Sequence, residues 1–89
     1  MSGIRMTRPR LAILRATTET TADGPRIYFF DGDVWDRKGG VKVTAVINYL
    51  LTRGLLGATR LEERNGKTVV RYSPTLRGRQ ELAKEKDAS

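Results

Sequence analysis

Between Lys42 and Gly54 the apolar residues fall at Val43, Val46, Ile47, Leu50 and Leu51, a spacing of i, i+3, i+4, i+7 and i+8. This is one stripe on a period of about 3.6 residues, which a strand, alternating every second residue, cannot bury on one face. The spacing predicts a helix over 43–53. At about 100° per residue, the side opposite the stripe carries Ala45, Asn48, Tyr49 and Thr52, with Lys42 and Arg53 at its margin. Gly54 is placed to take positive φ just past the end. Leu55 and Leu56 can then fold back on the last turn as a Schellman stop. Whatever else this chain forms must cover that stripe.

Beyond Gly54 the chain reads as a hairpin. Asn65-Gly66 is a turn pair suited to a type I′ loop, in which both central residues need φ > 0. A two-residue loop there opposes Arg64 to Lys67, Glu63 to Thr68, Glu62 to Val69, Leu61 to Val70 and Arg60 to Arg71. Leu61, Val70 and Tyr72 are then expected to reach the core, and the tip is basic. Arg60 facing Arg71 is a repulsive pair that a nearby anion would relieve.

The flanks are read more coarsely. Thr7 can cap a helix over 8–17, with Pro9 tolerated in the first turn and Leu11, Ile13 and Leu14 on one side. Residues 17–25 are polar, end in Gly-Pro and read as a loop. Residues 26–30, Arg-Ile-Tyr-Phe-Phe, form a strand pattern bounded by Gly-Pro and by Asp-Gly. Residues 31–40 fit a short helix capped by Asp31 or Asp33, which we favour, or a second strand pairing back on Ile27–Phe30. Val34 and Trp35 are the apolar anchors there, and Trp35 is expected in the core. Ser73-Pro74-Thr75 opens a last helix over 75–85, with Leu76, Leu82 and Ala83 as its apolar contacts. Gly78 weakens that helix unless close packing requires it. The expected division is a flexible arm 1–6, one domain 7–85 and a frayed end 86–89.

Composition narrows the partners. The chain has 17 Lys and Arg against 10 Asp and Glu, a net charge of +7, which attracts a polyanion. Residues 1–15 contribute four arginines and no acid; residues 37–60 contribute five bases and no acid. Neither Cys nor His occurs, which removes disulfides, thiolate nucleophiles and the usual structural zinc sites. No apolar run approaches the roughly 18 residues of a membrane span, and the expected location is cytoplasmic, in association with the nucleoid.

Asp31, Gly32, Asp33 and Asp36 fail the EF-hand pattern, because Trp35, Asp36 and Lys42 stand at its fifth, sixth and twelfth positions. These acids are expected to cap the short helix or pair with Arg37 and Lys38. Gly39-Gly40 lacks the Lys-Ser/Thr of a phosphate loop, and Glu62 and Glu63 point to opposite faces of a strand. No enzyme, cofactor or metal is expected.

In order, helix, strand, short helix, helix, hairpin and helix resemble the winged helix-turn-helix superfamily. Gly40 to Leu56, GVKVTAVINYLLTRGLL, resembles the turn and recognition helix of bacterial regulators of the MarR and PadR kind. Leu50, Gly54 and Leu55 match the exit of that helix, and Thr75 and Gly78 match the opening of the helix after the wing. The resemblance covers about residues 7 to 85. The long flanking dimerisation helices of those regulators are missing, and an Asp- and Gly-rich stretch stands at their second helix.

It implies an α+β winged helix: a three-helix core with a short strand after the first helix, a two-stranded wing and a C-terminal helix. It also implies sequence-specific binding to double-stranded DNA by a small transcriptional regulator, a repressor, acting as a homodimer on a palindrome. The helix 43–53 enters the major groove with Lys42, Thr44, Ala45, Asn48, Tyr49, Thr52 and Arg53. Asn48 is the best base reader, since its amide can pair bidentately with adenine. Arg60, Arg64, Asn65, Lys67 and Arg71 on the wing 60–71 reach the backbone or minor groove. Arg8, Arg10, Arg37 and Lys38 complete the phosphate contacts. The rival readings are an architectural or excision factor that bends DNA for a recombinase, and a module for protein interaction. RNA binding ranks lower, because no exposed strand is expected to carry an aromatic stacking platform.

Overall fold

The computed structural model of the chain describes residues 7–62, 66 and 68–88. Thr7 opens α1 (Arg8–Ala16): its hydroxyl faces the Arg10 N–H at 3.5 Å, and Pro9 sits in the first turn, where no N–H is needed. Leu14 and Ala16 are buried, and Ile13 packs against the core. Threonines close the helix. Thr17 Oγ1 donates to the Leu14 carbonyl at 2.6 Å and Thr18 Oγ1 to that of Arg15 at 2.7 Å, supplying partners that the last turn lacks.

Strand and turn then run as far as Lys42. Thr20–Thr21 (β1) pairs with Gly24–Pro25 (β2) in a minimal hairpin where a loop was expected. Ile27–Phe30 (β3), Asp33–Asp36 (β4) and Val41–Lys42 (β5) form a three-stranded antiparallel sheet in that order. The short helix favoured for 31–40 does not form. Asp31 and Gly32 both take positive φ, 53° and 80°, as in a type I′ turn, so Phe30 pairs with Asp33 across a two-residue loop. Burial agrees with the turn: Ile27 and Val34 face the core, and Tyr28 and Trp35, directly opposite each other, share the other face.

The winged-helix expectation is corrected accordingly. The described residues form an α+β fold of three helices and seven strands in three small sheets, not a three-helix core with a wing. Where a second helix was expected, β4 and its turns lead into β5.

The apolar stripe does form a helix, α2 (Thr44–Thr52), whose Ile47 and Leu50 are fully buried. Its start is tied to the sheet. The Val43 N–H donates to the Val34 carbonyl at 2.8 Å, and Thr44 Oγ1 accepts from the Val34 N–H while donating to Asp33, both at 2.9 Å. It ends at Gly54, φ 73°, whose N–H donates to the Leu51 carbonyl while the Leu55 N–H donates to that of Leu50. These are the two bonds of a Schellman stop. Leu55 and Leu56 are buried as a result.

Leu56–Glu62 (β6) and Thr68–Pro74 (β7) form a further hairpin, in a register one residue from that expected. Arg60 opposes Val70, Arg71 opposes Thr59, Leu61 opposes Val69, and Glu62 opposes Thr68. The expected Arg60–Arg71 pair is therefore absent, since opposed residues share a face and these two lie on different ones. The cause lies at the base of the hairpin, where Leu56, Tyr72 and Pro74 are all buried. The register that pairs Leu56 with Pro74 and Ala58 with Tyr72 puts them on one face, which a shift by one residue would not. Leu61, expected in the core, is 46% exposed on the opposite face.

Thr75 caps the last helix, α3 (Leu76–Ala88), by accepting from the Gly78 N–H at 3.1 Å. It also locks α3 to the end of α2, its hydroxyl donating to the Gly54 carbonyl at 2.7 Å. Any Cβ on Gly78 would overlap the Leu55 carbonyl, so close packing is what requires this glycine inside a helix.

Candidate nucleic-acid interface

On α2 the residues opposite the buried stripe reach the surface. Ala45, Asn48 and Thr52 are exposed one turn apart, with exposed Arg53 just beyond. Helical spacing put them there, so this part of the expected contact set was readable from periodicity alone. Lys42 lies on β5 rather than in the helix. Its Nζ pairs with Asp33 at 3.5 Å and sits 5.7 Å from the centre of the Trp35 ring. Thr44 is half-buried and its hydroxyl is engaged with both Val34 and Asp33, so its task is to start the helix.

Tyr49 joins α1 to this surface. The Arg10 guanidinium stands over its ring at 3.8 Å and that of Arg53 at 5.3 Å. Two cations against one aromatic ring form a positive cluster across the two helices, partly offset in energy by the ring quadrupole. No pattern in the sequence links residues 10, 49 and 53, because the contact depends on how α1 crosses α2.

The remaining expected contacts divide. Arg8 and Lys38 are exposed. Arg37 donates through Nε to the Pro25 carbonyl at 2.8 Å and lies over the Tyr28 ring at 4.2 Å, which fixes it to the sheet. Arg60 lines a groove of about 310 Å³ with Phe29, Leu51, Ala58, Thr68, Val70 and Tyr72. Arg71, on the other face of the hairpin, borders a crevice with Thr17–Thr20, Pro25 and Ser73. Arg64, Asn65 and Lys67 lie outside the described residues.

The acids expected to pair with Arg37 and Lys38 act otherwise. Asp36, almost fully buried, receives a two-pronged hydrogen bond from Arg26, Nε to Oδ1 at 2.8 Å and a terminal nitrogen to Oδ2 at 2.9 Å. Arg26 also meets Glu19 at 2.9 Å. The guanidinium holds the Asp36 carboxyl below its ordinary pKa against the opposing pull of burial, and the two carboxylates raise that of Arg26. Lys38 donates its backbone N–H to Asp36 at 3.0 Å, and its charge adds to the lowering of the Asp36 pKa. The triad of Arg26, Asp36 and Glu19 ties the segment after α1 to the sheet and is structural.

Sequence reasoning also missed the outer face of the sheet. Trp35, expected in the core, is only half-buried, and its indole N–H donates to the Phe30 carbonyl at 3.1 Å. Tyr28 stands opposite it, and Phe30 on the same face is 64% exposed. A helix over 31–40 leaves no room for an exposed-strand aromatic platform, so none was expected. The alternation of Tyr28 and Phe30 with Asp33 and Trp35 would have shown it, given a turn at Asp31-Gly32.

Comparison with protein-family models, with curated proteins and with solved structures finds no match to this chain. Among the described residues no helix is long and apolar enough to cross a membrane, and no group of His, Cys, Asp or Glu gathers that could hold a metal ion.

Proposed function

We propose that the chain binds double-stranded DNA through the exposed face of α2 and acts as a small transcriptional regulator, a repressor. The observation that carries this reading is the row Ala45, Asn48, Thr52 and Arg53, exposed on a helix packed firmly from behind. No acid occurs between Arg37 and Arg60, and the cluster of Arg10, Tyr49 and Arg53 adds positive charge beside the row. A helix fits the major groove, roughly 12 Å wide, and small residues such as Ala45 allow close approach to base edges. In this reading Asn48 reads a base, Arg53, Arg8 and Lys38 contact phosphates, and the β6–β7 hairpin braces the adjacent backbone or minor groove. Homodimer binding to a short palindrome belongs to the same proposal.

The test is a salt titration of binding to random duplex, followed by selection of bound fragments. Affinity should fall steeply with salt, and Arg53→Gln should reduce the slope of log K against log salt by about 0.9 for the lost phosphate contact. Asn48→Ala should cost about 1–3 kcal/mol of discrimination at one base position while sparing non-specific binding. Absence of duplex binding at low ionic strength would sink the proposal.

A further inference from the structure

The outer face of the β3–β5 sheet combines aromatic rings with cations and, Lys38 at its margin apart, has no part in duplex binding by α2. Register puts Tyr28, Trp35 and Lys42 in one row across the three strands, with Phe30 and Asp33 in the next. The opposite face holds the buried Ile27 and Val34, so the aromatic row points away from the core. Each end of the row carries a cation: Arg37 stands 4.2 Å from the Tyr28 ring, and Lys42 stands 5.7 Å from that of Trp35. Exposed Lys38 lies beside Arg37. Two carboxylates are also close, Asp31 at the turn and Asp33, which Lys42 engages at 3.5 Å. On the face itself Arg37 and Lys42 balance these two acids, and exposed Lys38, next to Arg37 in the chain, adds positive charge near that end.

We propose that this face is a second binding site, for single-stranded nucleic acid, with unpaired bases stacking on the Tyr28–Trp35 row. Every base has a flat π-face, so aromatic side chains on neighbouring strands receive successive bases with little regard to sequence. The Arg37 guanidinium, itself planar, offers a further stacking layer over Tyr28. Lys42, held loosely over the indole, can swing to a phosphate. Lys38 answers the next phosphate along. A proline-rich peptide could also use an aromatic row, but it has no need of cations at both ends, and the overall +7 charge favours a polyanion.

Trp35 is the only tryptophan in the chain, so its fluorescence reports on this face alone. The full chain is titrated with short oligothymidylate and oligouridylate, with an abasic strand of equal charge, with blunt duplex and with a proline-rich peptide. The expected result is saturable quenching by one or both base-bearing strands and none by the abasic strand. Tyr28→Leu, which keeps apolar bulk and removes the ring, should weaken single-strand binding at least about fivefold. Its melting temperature is measured alongside, and the wild-type titration stands without it. Asn48→Ala should leave the quenching unchanged, which separates this site from the duplex surface on α2. Absence of quenching, equal quenching by abasic strand or duplex, or quenching by the peptide alone would overturn the proposal.

Discussion

Asp31-Gly32 and Asn65-Gly66 each stand between two paired strands, yet only at the first do the strands keep the register that a two-residue turn sets. At the first, Phe30 and Asp33 pair directly across the turn. At the second, the described pairing runs to Glu62 with Thr68, one residue from the register that a two-residue loop at Asn65-Gly66 sets. The difference lies in where the register is set. In the first hairpin the positive-φ turn and the burial of Ile27 and Val34 demand the same pairing. In the second the base is fixed by burial: Leu56 follows the Schellman stop directly, Tyr72 and Pro74 are buried on the same face, and Pro74 lies against Gly78 of α3. A turn dipeptide announces a reversal of the chain, whereas burial decides which residues face each other.

The largest test of this contrast is at the base of the second hairpin. Tyr72→Ala should cost about 3 kcal/mol or more by urea unfolding, as truncation of a buried aromatic does. A loss below about 1 kcal/mol would show that the base does not hold the register. Phe29→Ala on the first hairpin, where the ring is 46% exposed, should cost much less.

Next comes the ion pair that anchors the first hairpin. Asp36→Asn leaves Arg26 without its carboxylate and should cost about 2 kcal/mol near neutral pH, less than a fully buried pair because Arg26 retains some solvent contact. The effect has a defined pH window. Asp36 titrates below its ordinary value when folded, so the unfolded chain binds its proton first as pH falls. Its stabilisation is complete above about pH 4 and is lost as pH drops through the folded value. Wild type and variant should therefore converge in acid; a constant gap down to low pH would rule out this linkage.

A smaller effect is expected at the turns. Gly32 and Gly66 have φ of 80° and 81° and open space where a Cβ would go, so Gly32→Ala and Gly66→Ala should each cost about 1 kcal/mol from backbone strain alone. In Gly66→Ala the cross-strand NOEs between Ala58 and Tyr72 should persist; a shifted register would mean that the tip sets it. Smallest of all, Glu19→Gln removes an exposed partner of Arg26 and should change stability by under about 1 kcal/mol in thermal melts.

Local chemistry by itself determined three features of this protein. The Thr7 cap with Pro9, the stripe from Val43 to Leu51 with its stop at Gly54, and the Thr75 cap each depend on residues within about two turns of one another, so a linear reading suffices. The exposed face of α2 belongs with them, being the complement of the buried stripe. Tertiary structure alone decided the rest. Asp36 found Arg26 rather than Arg37, Thr44 gave its hydroxyl to the sheet, Arg10 met Tyr49, and the second hairpin slipped one residue from the pairing its turn implied. Each outcome rests on which surfaces exclude water when distant segments meet. A buried charge must find a partner, and a strand must turn its apolar side inward. Both demands are satisfied only after the chain has closed on itself.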